Sequence, residues 1–217
     1  MGKWKISFAL GLALLCFLLP VPCRAREKKL TLMVYMCGSN LESEGRSATD
    51  NLEAMRDSGF DEESVNLLVM TGGSRRWHQY FESDKTYISS MDSLGPDIEC
   101  SFSSMNMGDP ETLSYFLQYA QENYPAKEYA LIIWDHGEGP LGGVCHDELY
   151  HLDSLTLDEL QEGLAGGGLT EKLAWIGFDA CLMASVEVAS AMAPYARYMV
   201  ASEEEEPGSG WDYSFLK

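Results

Sequence analysis

The sequence has few basic residues for its size. Its 217 residues include 15 Lys and Arg against 34 Asp and Glu, which gives a formal charge of −19. A protein that binds phosphate backbones needs a basic surface, so this balance argues against nucleic acid as a partner. It favours solubility, divalent cations and basic substrates. The alternative, equally consistent with this composition, is an exported protein whose negative charge serves only its solubility.

Cysteine is scarce once the amino-terminal segment is set aside. Beyond that segment only four remain, Cys37, Cys100, Cys145 and Cys181. So few cysteines in a chain of this length do not make a disulfide scaffold. The sequence therefore predicts a fold held by a hydrophobic core, with free thiols available for chemistry.

Long apolar runs are also missing beyond the amino terminus. Residues 6–19 form an apolar stretch of 14 residues, which follows Lys3 and Lys5 and precedes Ala25. This stretch is short for a membrane span, and the pattern is typical of a secretory signal peptide over residues 1–25. We therefore expect a secreted or periplasmic protein without a membrane span after cleavage. The segment contains three basic residues and no acids, so its removal would leave a formal charge of −22.

Short apolar runs alternate with helical periodicity along the rest of the chain. Strands are predicted at 30–37, 65–70, 130–134, 173–178 and 198–202, helices at 48–58, 110–123, 155–164 and 182–193, and a hairpin within 77–90. Alternation of this kind predicts an α/β fold with a parallel sheet covered on both faces. One domain over residues 26–217 is expected. No closing element follows the last predicted strand, which leaves a C-terminally incomplete domain as an open alternative.

His136 and Cys181 each lie just past the end of a predicted buried strand. The carboxyl ends of parallel strands are where open α/β sheets bind ligands. Adjacent strands lie about 4.8 Å apart, so a sulfur and an imidazole at two such ends come within reach of each other. A His beside a thiol stabilises the nucleophilic thiolate. The pattern predicts a cysteine nucleophile and its base, against the alternative of a packed core thiol and a histidine in a turn.

Two neighbouring features support the same chemistry. Gly137 leaves its backbone N–H unobstructed, and together with the N–H of Cys181 it would hold the oxyanion of a tetrahedral intermediate. The helix predicted from Leu182 would also place its positive end at the sulfur, which favours the thiolate.

Several longer motifs occur in an order that resembles the clostripain family of cysteine peptidases, of the caspase- and gingipain-like clan. They are LTLMVYMCGSNLE, TGGSRRW, WDHG, GGVCHDELY, GFDACLMASVEVA and SEEEEPGSGWDY. The resemblance covers nearly all of residues 30–213. It implies a caspase-like α/β/α sandwich with a mostly parallel sheet. It also implies peptide hydrolysis with His136 as the base and Cys181 as the nucleophile.

The same resemblance implies cleavage after Arg or Lys, with an acidic residue in the specificity pocket. Asp179 lies at the matching place, and a carboxylate there would bind a basic side chain by a charge-assisted hydrogen bond. The alternative is that Asp179 caps the helix predicted from Leu182. Asp212 and the run Glu203–Glu206 are further acidic candidates, although four successive Glu are typical of a solvated surface. The expected partners are polypeptide substrates with a basic P1 residue. The protein itself is expected to be a monomer.

A group of polar residues between the two predicted active-site strands resembles a metal site at first sight. It comprises Cys145, His146, Asp147, Glu148, His151 and Asp153. The two histidines lack the spacing of a helical zinc pair, and the flanking glycines favour a loop. No metal ligand and no required cofactor are therefore predicted. The family resemblance adds Ca²⁺ as an option, but no EF-hand pattern names its ligands.

The resemblance also implies activation by cleavage at a basic residue between the His and the Cys. Among residues 137–180, Lys172 is the one Lys or Arg, and it lies directly before a predicted core strand. Cleavage there would damage the core. Arg75-Arg76 and Lys28-Lys29 are alternative basic sites. A catalytically inactive caspase-like domain that binds basic peptides therefore stays open as the alternative function.

Overall fold

The computed structural model describes residues 27–217, so the predicted signal peptide lies outside the described residues. The strands are β1 (Lys28–Cys37), β2 (Val65–Gly72), β3 (Lys85–Asp92), β4 (Gly95–Ser103), β5 (Ala126–Trp134), β6 (Val144–Asp147), β7 (Asp153–Leu155), β8 (Ile176–Asp179) and β9 (Met199–Val200). The helices are α1 (Ser39–Ser43), α2 (Ser47–Asp57), α3 (Pro110–Asn123), α4 (Gly139–Gly142), α5 (Leu157–Gly166) and α6 (Val186–Met192), with 3₁₀ turns at Glu148–Tyr150 and Tyr213–Leu216. Among these residues, no helix has the length and apolarity needed to cross a membrane.

The main sheet has seven strands in the order β4-β3-β2-β1-β5-β8-β9. Strands β1, β2, β5, β8 and β9 run parallel, while β3 and β4 add an antiparallel hairpin at one edge. The mostly parallel sheet predicted from the alternating pattern is confirmed. The polar residues described below follow the carboxyl ends of its central strands β1 and β5.

Both faces of the sheet are buried, as the α/β prediction requires. Along β1, Met33 and Tyr35 pack on one side with helices α3, α5 and α6. The alternate residues Leu32 and Val34 pack on the other side with α2 and Tyr213. Successive side chains of a strand point to opposite faces, so one apolar strand serves two cores. The result is an α/β/α sandwich.

The predicted hairpin exists but lies later in the chain than residues 77–90. Its turn follows Asp92, whose carboxylate accepts hydrogen bonds from the N–H groups of Leu94 and Gly95. Gly95 has φ +118°, which favours glycine, so the turn is fixed at this point. The aromatic residues that suggested an earlier strand instead pack on each other in a loop, with the Trp77 and Phe81 rings 5.3 Å apart.

Candidate active site

His136 and Cys181 lie two residues beyond the ends of neighbouring parallel strands. Strands β5 and β8 pair in register, with Trp134 opposite Asp179, which confirms the predicted adjacency. His136 and Cys181 both line a single cavity of about 430 Å³ at the carboxyl edge of the sheet. The structure therefore brings the two predicted catalytic residues to one site.

Cys181 is a partly buried free thiol in the loop between β8 and α6. The backbone N–H of Glu206 lies 3.2 Å from its sulfur and donates to it. The predicted help from a helix amino end is wrong, because α6 begins only at Val186, with Ser185 as its cap. Leu182 has φ +63°, a left-handed conformation outside the range of a regular right-handed helix. The polar group at the sulfur is instead a backbone amide of the loop after β9.

His136 is half-buried and held from the opposite side of the cavity. Its Nε2 lies 2.7 Å from Oδ1 of Asn40 in α1. Partial burial lowers the pKa of His136, nearby His146 lowers it further, and Glu138 opposes both. The imidazole ring of His146 is 6.4 Å away. A histidine with a lowered pKa stays neutral to lower pH than usual and can accept a proton there.

Gly137 allows the His136 loop and the Cys181 loop to touch. A Cβ at this position would lie 2.3 Å from the carbonyl oxygen of Cys181 and 3.1 Å from the Cβ of Ala180. A contact of 2.3 Å does not occur, so a larger residue would push the two loops apart. Gly137 and Cys181 both line the cavity, and their oxyanion role stays a prediction.

Asp179 lines the same cavity and is only 3% exposed. Its carboxylate accepts hydrogen bonds from the N–H of Trp211 and, at 2.8 Å, from the hydroxyl of Tyr213. Burial raises the pKa of Asp179 to about 6, although these two hydrogen bonds oppose the rise. The alternative role as a helix cap is wrong, because Ser185 caps α6. Its role in binding substrate stays a prediction.

The Glu run at 203–206 is not a uniform solvated surface. Glu203, Glu204 and Glu205 are exposed, whereas Glu206 is partly buried against the cavity. Its Oε1 accepts from the indole N–H of Trp211 at 3.3 Å, and its buried Oε2 accepts from no N–H or O–H donor among the described residues. Its carboxyl is close enough to Asp179 to raise the pKa of Asp179 as well. Asp212, the other acidic candidate, is exposed and accepts from the N–H of Ser214. Glu206 is therefore a second carboxylate beside Asp179.

The cavity as a whole is acidic. Its wall has five carboxylates, those of Asp135, Glu138, Asp179, Glu205 and Glu206. Among the described residues, this wall contains no Lys or Arg. A cavity of this composition attracts cations and repels anions. A basic side chain is the natural complement of such a wall.

Sequence reasoning missed Asn40 and Asp135. Asp135 is 3% exposed where it lines the cavity, and it accepts from Oγ of Ser39 and, at 2.6 Å, from the N–H of His146. Burial raises the pKa of Asp135 to about 7. The signal was present in the sequence, because the Gly-Ser-Asn turn follows β1, and β1 pairs with β5 in the sheet. Polar residues after either strand must reach the same edge.

The residues that suggested a metal site do not converge on one point. Cys145 lies in β6 rather than in a loop, and it is fully buried in the core. Asp147 instead accepts from the N–H groups of Met107 and Leu149. Across residues 27–217, no group of three or more His, Cys, Asp or Glu side chains is placed to hold a metal ion. The Ca²⁺ option from the family resemblance stays a prediction without named ligands.

Comparison with known proteins identifies the family of the chain. The family model described as the clostripain family matches residues 34–217. The chain is 30% identical to clostripain of Hathewaya histolytica over 219 residues, covering 87% of this chain and 41% of that protein. It therefore spans less than half the length of this curated relative.

Two solved structures share the fold. One is a secreted C11 cysteine protease from Bacteroides thetaiotaomicron in complex with an irreversible peptide inhibitor, with a TM-score of 0.70 and 24% identity over 86% of this chain and 52% of that one. The other is an inactive zymogen C11 protease from Parabacteroides distasonis, with a TM-score of 0.69 and 24% identity over 87% and 52%. The expected caspase-like sandwich is thereby confirmed. Because the family model covers most of its length, the chain belongs to the clostripain family.

Proposed function

We propose that this protein is a cysteine endopeptidase that cuts peptide bonds after Arg or Lys. The observation that carries the proposal is the cavity that holds both Cys181 and His136 within a wall of carboxylates. A thiol and an imidazole at one cavity supply a nucleophile and its base. The carboxylates supply the complement of a basic P1 side chain. Membership of the clostripain family supports the same activity.

The chemistry follows from the positions of the groups. His136 takes the proton of the Cys181 thiol, and the sulfur attacks the scissile carbonyl carbon to give a tetrahedral oxyanion. The N–H groups of Gly137 and Cys181 stabilise that oxyanion, and such stabilisation supplies much of the rate enhancement in acyl transfer. His136 then gives its proton to the leaving amine, and water hydrolyses the thioester with His136 again as the base. The Glu206 amide at the sulfur stabilises the thiolate before attack.

Specificity for a basic residue comes from Asp179 and Glu206 in this proposal. Both line the cavity that contains the nucleophile. The unpartnered Oε2 of Glu206 is an acceptor that a guanidinium or ammonium group would satisfy. Charge-assisted hydrogen bonds of this kind are about twice as strong as neutral ones. The protein is further proposed to act outside the cytoplasm, because the pattern of residues 1–25 is that of an export signal.

The decisive experiment is active-site labelling of the full-length protein with a thiol-reactive peptide inhibitor that carries P1 Arg. Intact mass should show one label on the wild type and none on Cys181→Ala. Cys100→Ala is the matched control, because Cys100 is also a partly buried free thiol but lies in β4. Reporter peptides ending in Arg, Lys and Ala, assayed side by side, then test turnover and specificity.

The non-catalytic alternative predicts a different outcome of the same assay. A domain that only binds basic peptides would show saturable binding of the Arg peptide without cleavage and without label at Cys181. Cleavage by Cys181→Ala at the wild-type rate would overturn the assignment of the nucleophile. Cleavage that ignores the P1 residue would overturn the assignment of the acidic pocket.

A further inference from the structure

We propose that Asn40 is a positioning residue that selects the tautomer of His136, so that Nδ1 is the nitrogen that takes the proton of Cys181. The observation is the 2.7 Å hydrogen bond between Oδ1 of Asn40 and Nε2 of His136. This inference rests on the proposed function, because that function makes His136 the base. It adds a third side chain to the pair.

The proton count at the imidazole follows from this contact. A neutral imidazole has one N–H donor and one acceptor nitrogen, and an amide oxygen can only accept. Nε2 must therefore carry the hydrogen that it gives to Asn40, and the lone pair is left on Nδ1. When the thiol ionises, its proton goes to Nδ1 and its electron pair to the new S–C bond. The resulting imidazolium still donates to Asn40 through Nε2.

Asn40 is well placed for this role because the turn before it is fixed at three points. The Gly38 N–H donates to the carbonyl of Gly72 at 2.8 Å. The carbonyl of Ser39 accepts from Oγ of Ser74 at 2.9 Å. Oγ of Ser39 donates to Asp135 at 2.5 Å. Ser39 has φ +44°, a conformation that a non-glycine residue keeps only when its surroundings fix it.

Asp135 links the two partners directly. It immediately precedes His136, and its carboxylate holds Ser39, which immediately precedes Asn40. The ring and the amide are thus each one residue away from a shared buried hydrogen bond. Rigid support of this kind is what a catalytic hydrogen bond needs to keep its geometry. Asn40 itself is exposed, so its replacement leaves the buried part of the network in place.

The charged groups around His136 set the expected effect of changing Asn40. His146 from β6 lowers the pKa of His136, and Glu138 from the loop after β5 raises it. Cys181 lines the same cavity from the loop after β8. Asn40 contributes a neutral acceptor from α1. An Asp in its place would keep the acceptor but add a negative charge at hydrogen-bond distance, and such a charge favours the protonated ring.

The first test is kinetic and uses full-length Asn40→Ala and Asn40→Asp with the Arg reporter. Asn40→Ala should lose about 10- to 100-fold in kcat, with KM nearly unchanged. This loss is smaller than the rate enhancement of about 10²–10⁴-fold that general acid–base catalysis supplies as a whole, because the base itself remains. Asn40→Asp should recover part of kcat, with the acid limb of its pH profile moved to higher pH. Asn123→Ala is the matched control, because Asn123 is an exposed asparagine at the far end of α3. A folded Asn40→Ala with kcat within twofold of the wild type would overturn the proposal.

The second test does not depend on turnover. In a Cys181→Ala background, ¹⁵N chemical shifts of His136 report which ring nitrogen carries the proton, and a pH titration reports its pKa. The expected spectrum shows the proton on Nε2 with Asn40 present and a mixture of tautomers in Asn40→Ala. With Asn40→Asp, the titration should move up by about one pH unit or more. If the wild type cleaves nothing but these shifts occur, the proposed function fails and the Asn40 contact stands. If cleavage occurs and His136 is insensitive to both changes, the contact fails alone.

Discussion

The backbone N–H of Glu206 donates a hydrogen bond to the sulfur of Cys181 over 3.2 Å. The carboxylate of the same residue is partly buried in the wall of the cavity, with its Oε1 bonded to Trp211. One residue therefore reaches the site in two ways. Its amide acts on the nucleophile, and its side chain adds to the acidic surface. Substitutions can separate these two effects.

Glu206→Pro removes the amide donor, whereas Glu206→Gln keeps it. We expect Glu206→Pro to slow alkylation of Cys181 by iodoacetamide at pH 7 severalfold, because its thiolate loses a hydrogen bond. Glu206→Gln should be alkylated at the wild-type rate but should show a higher KM for the Arg reporter. Rates come from intact mass at timed points, with circular dichroism as the check on folding. Equal rates for the Pro and Gln variants would contradict the role of the amide.

Asp179→Asn should remove the preference for basic substrates. The carboxylate of Asp179 lies in the cavity wall, and hydrogen bonds to charged groups contribute about 1.5–3 kcal/mol. The expected loss in kcat/KM for an Arg reporter is therefore about 10- to 150-fold, with little change for a citrulline reporter of the same shape. Glu203→Gln is the control, because Glu203 is exposed outside the cavity. Equal losses on both reporters would point to a structural role instead.

The protonation of Asp179 predicts a pH dependence of substrate binding. Burial raises the pKa of Asp179 to about 6, so the carboxyl becomes neutral at a pH where most aspartates are still charged. We expect KM for the Arg reporter to rise as the pH falls through about 6. The Asn variant should lack this rise, because it has no group to titrate there. A KM of the wild type that is flat from pH 5 to pH 8 would speak against binding by this carboxylate.

The same carboxyl makes a prediction for stability. Its folded pKa is raised from 3.8 to about 6, so the fold disfavours its charge. Asp179 thus lowers the free energy of unfolding as the pH rises from about 4 through about 6, and the full cost is present above that range. Asp179→Asn should raise the free energy of unfolding at pH 7.5 by up to about 3 kcal/mol and change it little near pH 4. Urea unfolding at the two pH values measures the difference, and a destabilised variant at pH 7.5 would be the contrary result.

His146→Gln should move the acid limb of activity. His146 lowers the pKa of His136, so its replacement lets His136 take up its proton at higher pH. The acid limb of kcat/KM should therefore shift upward. His151→Gln is the matched control, because His151 is exposed in the turn before β7. An acid limb that stays in place in His146→Gln would show that another group controls it.

Gly137→Ala should weaken both the fold and the activity. The new methyl group would lie 2.3 Å from the Cys181 carbonyl, so the two active-site loops must separate. Overpacking of this kind costs about 1–3 kcal/mol, which thermal or urea unfolding measures directly. Gly208→Ala is the control for stability, because a Cβ there meets no atom within 4 Å. Unchanged stability in Gly137→Ala would mean that the loops are not in contact.

Local features explain which predictions from the sequence were confirmed. Asp109 accepts from the N–H of Glu111 at the start of α3, as the Asp-Pro-Glu pattern predicts. Short apolar runs gave β1, β2, β5 and β8 because burial on both faces requires apolar residues at every position. The prediction failed where an apolar helical pattern continued through a residue at which the backbone leaves the helical conformation. Leu182 looks helical in sequence, yet it takes a left-handed conformation and α6 starts at Val186.

By itself, the sequence determined the alternation of strands and helices, the parallel sheet and the placement of His136 and Cys181 at one edge of it. Those properties depend on the order and polarity of neighbouring residues. Only the tertiary structure decided which distant residues join the pair. Asn40 reaches His136 across 96 positions of chain, and Glu206 reaches Cys181 across 25. Such contacts depend on strand order and loop path, which the packing of the whole sheet fixes and local sequence does not.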